Sequence, residues 1–68
     1  MKIRFGEKLK ELRKEFGITQ QQLADALNIT HSAVALYETN ANNPSHEILF
    51  KMAEYFDISL DELYGKIK

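Results

Sequence analysis

The side chains with the widest chemical range in this sequence are His31, with Ser32 beside it, His46, and the adjacent carboxylates Asp61 and Glu62. Two histidines could begin a metal site, a serine next to a histidine could be a nucleophile with its base, and paired carboxylates could share acid–base work. Their spacing argues against all three. Neither histidine has a ligand-type residue three or four positions away, and Cys is absent, which also removes disulfides and thiolate zinc sites. Consecutive residues on a helix do not face one another, so Ser32 and His31 do not make a nucleophile and its base. Asp61 and Glu62 stand where a helix begins, and carboxylates there complement the positive end of the helix dipole. No Gly-rich phosphate loop is present. The reading is of a chain with no catalytic residue, no metal and no cofactor, and no small-molecule ligand is evident. His46 is expected on the surface.

A second set of polar residues recurs with a regularity that has a physical cause. Thr19 precedes Gln22 by three residues, Ser59 precedes Glu62 by three, and Thr30 and Ser45 each stand before an apolar-periodic segment. A hydroxyl just before a first turn accepts a bond from an otherwise orphaned backbone N–H, and a Gln or Glu three residues on bonds back to the cap. Ile18, Ile29 and Ile58 precede three of these caps and have Leu23, Val34 and Leu63 five positions later, the spacing of a hydrophobic staple. Upstream, Phe5, Leu9, Leu12 and Phe16 recur on one helix face, with Lys and Glu on the other sides, until Gly17 ends the run.

The pattern predicts five helices. The first carries Phe5 to Phe16, the second runs from Gln20 to about Leu27, and the third follows Thr30 to about Glu38. The fourth follows Ser45 through Phe56, with Leu49, Met52, Ala53 and Phe56 inward; a short fifth follows Ser59 and ends at Gly65. Asn28 suits the left-handed conformation that closes a helix. Thr39 to Pro44 reads as a loop. The expected class is all-α, a compact five-helix bundle.

With 68 residues there is room for one domain, spanning 1–68, which would bury only about 60% of the surface of its unfolded chain. At 44% hydrophobic and 28% charged residues the composition is that of a folded globule and not a disordered tail. The longest apolar run, Ala33 to Tyr37, falls far short of the roughly 18 residues of a membrane span. No apolar segment follows Lys2 and Arg4 as a signal peptide would require, so no membrane partner and a cytoplasmic location are expected. The net charge of -1 conceals a division: residues 1–16 carry +3 and the remainder -4. A polyanion partner stays possible, because phosphate binding depends on where the positive groups sit.

Helices of about eight residues joined through Asn28 and Ile29 are set at roughly 90 to 120° to one another, the helix-turn-helix geometry, here covering about residues 20–39. With Gln20 as the first position, small Ala24 stands fifth, where the helices come closest, Asn28 ninth in the turn, and Val34 fifteenth in the joint core. Leu23, Leu27, Ile29 and Tyr37 supply the other apolar positions. Together with Arg13, Gly17, Thr19-Gln20, Glu38, Pro44-Ser45, Lys51, Ala53 and Ser59 to Leu63, these residues resemble the phage-repressor/Cro family of helix-turn-helix domains, also called the XRE family. The likeness covers about 5–65.

The resemblance implies the lambda-repressor-like DNA-binding fold, with the third helix in the major groove of double-stranded DNA. It implies base-facing roles for His31, Ser32 and Leu36, with Ala33 nearby, and phosphate-facing roles for Gln20, Thr30, Asn42 and Asn43. It also implies a bridge from Arg13 to Glu38; the alternative is a loose surface pair worth under about 1 kcal/mol. The function it implies is a sequence-specific transcriptional regulator, in the first instance a repressor. The chain departs from many relatives in lacking Gln, Arg or Lys at the base-facing positions, and Ala35 and Leu36 leave the third helix apolar. An alternative is therefore a protein-interaction module of the same fold, an antitoxin or anti-repressor-like accessory. Because one short helix touches few base pairs, a homodimer on a pseudo-palindromic operator is expected. Its contact is assigned to Ile48, Tyr55, Ile58, Leu60, Tyr64 and Ile67; the alternative is that most of these close the monomer core.

Overall fold

The computed structural model describes residues 5–63, and within them every regular element is helical: α1 Phe5–Glu15, α2 Gln20–Leu27, α3 His31–Glu38, α4 His46–Phe56 and α5 Leu60–Leu63. The starts follow from side-chain chemistry. Thr19 Oγ1 accepts from the Gln22 N–H at 3.0 Å while Gln22 Oε1 accepts from the Thr19 N–H at 2.8 Å, a complete reciprocal cap for α2. Thr30 Oγ1 takes the Ala33 N–H and Ser45 Oγ the Ile48 N–H, so α3 and α4 begin on the same principle. At α5 the Ser59 hydroxyl accepts from the Glu62 N–H at 3.1 Å. The expected end of that helix at Gly65 lies outside the described residues.

Four helices end in a left-handed residue: Gly17 (φ 68) after α1, Asn28 (φ 59) after α2, Asn40 (φ 64) after α3 and Asp57 (φ 57) after α4. Each lets the following N–H reach back five residues, as Ile29 does to the Ala24 carbonyl at 2.9 Å, so the last turn's carbonyls are satisfied. Lys51 Nζ adds a bond to the Leu27 carbonyl at 3.5 Å, placing a cation at the negative end of α2.

The core is built from one stripe of each helix: Leu9 and Leu12 of α1, Leu23, Ala24 and Leu27 of α2, Val34 of α3, Leu49, Met52, Ala53 and Phe56 of α4, and Leu63 of α5. Ile18, Ile29 and Ile58 pack half-buried against it next to their caps. Phe16 does not join this core. It follows the last residue of α1, in the turn that Gly17 makes, so it leaves the buried face of the helix. Half exposed, its ring stands edge-on to Phe56 at 4.9 Å and 6.1 Å from Tyr55.

One tertiary contact was invisible in the sequence. The N-terminus of α1 abuts the C-terminus of α3 so closely that a Cβ on Gly6 would lie 2.5 Å from the Tyr37 carbonyl oxygen and 2.6 Å from that of Glu38. Asn40, left-handed at φ 64, turns its side-chain Oδ1 to the Gly6 N–H at 3.0 Å and so caps α1 from 34 residues away. Asn40→Gly keeps the backbone and loses that bond, costing about 1 kcal/mol. Asn40→Ala adds left-handed strain and should cost about 2 kcal/mol. Urea unfolding of the two variants should show this order; equal midpoints to the parent would contradict the cap.

Candidate nucleic-acid interface

The α2–α3 corner is set by two small-residue devices. Ala24 is fully buried, and its lack of a larger side chain lets α3 approach α2; Asn28 then reverses the chain in a left-handed turn. Val34 closes the joint core, which fixes the rotation of α3 about its own axis. That rotation decides what α3 presents outward. His31 and Ser32 in the first turn and Leu36 one turn on are exposed, Leu36 to 40%, while Ala33 and Ala35 are half-buried. Thr30 is exposed at the cap, with its oxygen committed to the Ala33 amide and its O–H free to donate. Asn42 and Asn43 are exposed in the loop after α3, where the Ala41 and Asn42 amides both return to the Leu36 carbonyl.

Behind this surface lies a buried charge. Glu38 is 7% exposed, and its carboxylate accepts from Arg13 Nε at 2.6 Å and Arg13 Nη2 at 3.3 Å. Arg13 also donates Nη1 to the Ile18 carbonyl at 3.0 Å, so one guanidinium ties α1, the α1–α2 turn and the end of α3. The planar fork of Arg matches this geometry; an ammonium would not. The arrangement is an enclosed bridge and not a loose surface pair.

Gln20 enters the same network. Its Nε2 donates to Glu38 Oε1 at 2.9 Å, and its Oε1 lies 2.9 Å from His31 Nε2. The side chain of Gln20 thus faces inward and sideways, toward α3; the resemblance implied a phosphate contact through either this side chain or the exposed backbone amide. Its backbone N–H and that of Gln21 remain at the open start of α2, the form in which a helix N-terminus offers itself to an anion. This inward turn has no signal in local spacing, because it depends on a contact 18 residues away.

The residues expected at the dimer contact stand differently toward the core, and Tyr55 among them is exposed. Ile48, Ile58 and Leu60 pack partly against the core, and the ring of Tyr55 lies against Phe16 and Phe56. Tyr64 and Ile67 lie outside the described residues. Among the described residues Phe50, which the apolar pattern did not single out, is the most exposed of the large apolar side chains at 57%. His46 is exposed at the start of α4, as anticipated.

Compared with known proteins, residues 9–63 match the model of a helix-turn-helix family. The chain belongs to that XRE-type helix-turn-helix family. It is 41% identical over 59 residues to the uncharacterized HTH-type transcriptional regulator YqaE of Bacillus subtilis, covering 87% of this chain and 51% of that protein. It is 39% identical over 66 residues to the cryptic phage CTXphi transcriptional repressor RstR of Vibrio cholerae, covering 97% and 57%. Among solved structures, SinR, a master regulator for biofilm formation, in complex with DNA superposes with a TM-score of 0.79 at 32% identity, covering 87% of this chain and 95% of that one. The chain spans about half the length of the curated relatives it matches. Within the helix-turn-helix family frame, α2 and α3 are the motif, and α1 and α4 are the walls that hold its angle. No helix among the described residues is long and apolar enough to cross a membrane.

Proposed function

We propose that the chain is a sequence-specific DNA-binding transcriptional regulator, a repressor that acts in the cytoplasm by occupying its operator, with α3 laid in the major groove. The observation that carries this reading is the orientation of α3: Val34 and Glu38 are locked inward while His31, Ser32 and Leu36 stand exposed along one outer face. An α-helix fits the major groove, and residues near its N-terminus reach base edges there. The SinR chain solved in complex with DNA, 95% of which this chain covers, is similar at 32% identity. RstR, similar over 97% of this chain, is a repressor by name.

In this reading His31 and Ser32 bond base edges, and Leu36, with Ala33 beside it, packs on a thymine methyl. The backbone amides at the start of α2, the Thr30 hydroxyl and the amides of Asn42 and Asn43 hold phosphates. Selection of bound duplexes from a random pool should converge on one motif. His31→Ala or Ser32→Ala should then cost about 1–3 kcal/mol at individual base pairs and relax preference there. A uniform loss across all sequences would remove both residues from base reading. A pool that never converges would favour the second reading, a protein-interaction module, for which the exposed Leu36 on an α3 free of Lys and Arg speaks.

A single α3 reads too few base pairs to be selective in a genome, and two-fold pairing doubles the contact. We place the pairing surface at the α4–α5 corner, on the outer sides of Ile48, Tyr55, Ile58 and Leu60; Tyr64 and Ile67 belong to the same proposal. Two α3 helices about 34–36 Å apart would then require a pseudo-palindromic operator. Sedimentation of the protein–operator complex should give two chains per duplex. A one-to-one complex on an asymmetric site would rule the symmetric arrangement out.

A further inference from the structure

The hydrogen-bond chain that ends at His31 has a direction, and that direction fixes which ring nitrogen carries the proton. An ionised carboxylate only accepts, so the group that Gln20 turns toward Glu38 at 2.9 Å is its NH2. The other half of the same amide, the carbonyl Oε1, is then what faces His31 Nε2 at 2.9 Å. A carbonyl also only accepts, so Nε2 must be the protonated nitrogen. In a neutral imidazole the second nitrogen, Nδ1, is then bare and is an acceptor. The amide cannot flip to reverse this polarity without setting its carbonyl against the carboxylate, which Arg13 already holds through two bonds. His31 itself is exposed, and no other described residue is recorded bonding its ring.

We propose that Gln20 is a positioning residue for specificity: by holding His31 as the Nε2–H tautomer it makes Nδ1 an acceptor that selects a base with an exocyclic amino group, adenine or cytosine on the contacted strand. Adenine offers its N6 amino group and cytosine its N4 amino group in the major groove, whereas guanine O6 and N7 and thymine O4 are acceptors and meet Nδ1 lone pair to lone pair. The buried Arg13–Glu38 bridge thereby has a consequence at the DNA surface, passed through one amide. This inference rests on the proposal that α3 reads DNA.

Two measurements on the 68-residue chain test it separately. The first is the His31 tautomer in the free protein, from long-range proton–nitrogen correlation spectra recorded with the ring neutral. The expected result is Nε2–H in the parent and a mixture of tautomers in Gln20→Met and Gln20→Ala, two variants chosen so that at least one folds. The second is binding to four duplexes that differ only at the base pair where His31→Ala flattens the preference. The parent should bind adenine or cytosine there about five- to tenfold more tightly than guanine or thymine, and the Gln20 variants should lose that ratio. An Nδ1–H tautomer, a preference for guanine or thymine, or an unchanged base profile in folded Gln20 variants overturns the inference while leaving DNA binding intact. Failure of the parent to discriminate among any duplexes overturns both this inference and the reading on which it rests.

Discussion

Replacing Gly6 by Ala is expected to cost at least about 3 kcal/mol, enough to leave the domain largely unfolded near 37 °C. The added methyl would stand 2.5, 2.6 and 2.8 Å from Tyr37 O, Glu38 O and Glu38 C, all backbone atoms that cannot swing aside. To relieve the overlap α1 must retreat from the end of α3, which lengthens the Asn40 Oδ1 bond to the Gly6 amide and draws Arg13 away from Glu38. In a domain of this size each kcal/mol shifts the melting temperature by about 4–8 °C, so the midpoint should fall by more than about 12 °C. Gly17 is the control. Nothing lies within 4 Å of a Cβ there, and only the left-handed backbone opposes a side chain, so Gly17→Ala should cost about 1 kcal/mol. Thermal unfolding of both variants checks the contrast; a Gly6→Ala midpoint within a few degrees of the parent would mean the two helix ends are not in contact.

Arg13→Ala should be comparably severe, about 3–5 kcal/mol, because it leaves the Glu38 carboxylate enclosed with, among the described residues, the Gln20 amide as its remaining side-chain partner. Arg13→Lys should recover little of this. An ammonium cannot serve both carboxylate oxygens and the Ile18 carbonyl at once, as the guanidinium does. Replacing both partners, Arg13→Met with Glu38→Leu, should by contrast be milder than either single truncation, since no buried charge is then stranded. Urea midpoints for the parent, the singles and the double measure the coupling directly, and additive losses would show that the two groups act independently. The double variant should fold, and on the proposed reading, in which α3 lies in the major groove, it should lose base preference at His31, because Gln20 would have lost the carboxylate that orients it.

Much of this architecture is written in short-range spacing. Thr19 with Gln22 starts α2 and Asn28 ends it, giving Gln20–Leu27 from the sequence and from the structure alike. These caps are legible because donor and acceptor lie three to five residues apart, and the bond they make is the same in any tertiary setting. The apolar stripe of α4 was legible for the same reason, since Leu49, Met52, Ala53 and Phe56 lie on one side of a helix whatever that helix packs against. The motif joining α2 and α3 followed from residue sizes at fixed positions, and the pairing of Arg13 with Glu38 from resemblance alone.

Other features required the fold. Phe16 had the right period for α1, but the helix closes one residue before it, and the ring is drawn to Phe56 instead. Ile48, Ile58 and Leu60 read as surplus apolar residues because a sequence does not say how much of each side chain the neighbouring helices cover. Nothing in the spacing singled out Gly6, and Asn40 read as part of a loop; that the first must be small and the second caps it depends on two helix ends meeting across 34 residues. Gln20 is the clearest case. The resemblance implies a phosphate contact through its side chain or its amide, while the side chain spans from Glu38 to His31, because packing around Ala24 and Val34 brings α3 within reach of an amide. By itself the sequence determined where α2, α3 and α4 begin and end and where α5 begins, since those choices are settled by bonds within a single turn. Which side chains of α3 face outward, and how His31 is held among them, only the tertiary structure decided, because both depend on how α1 and α2 pack against α3.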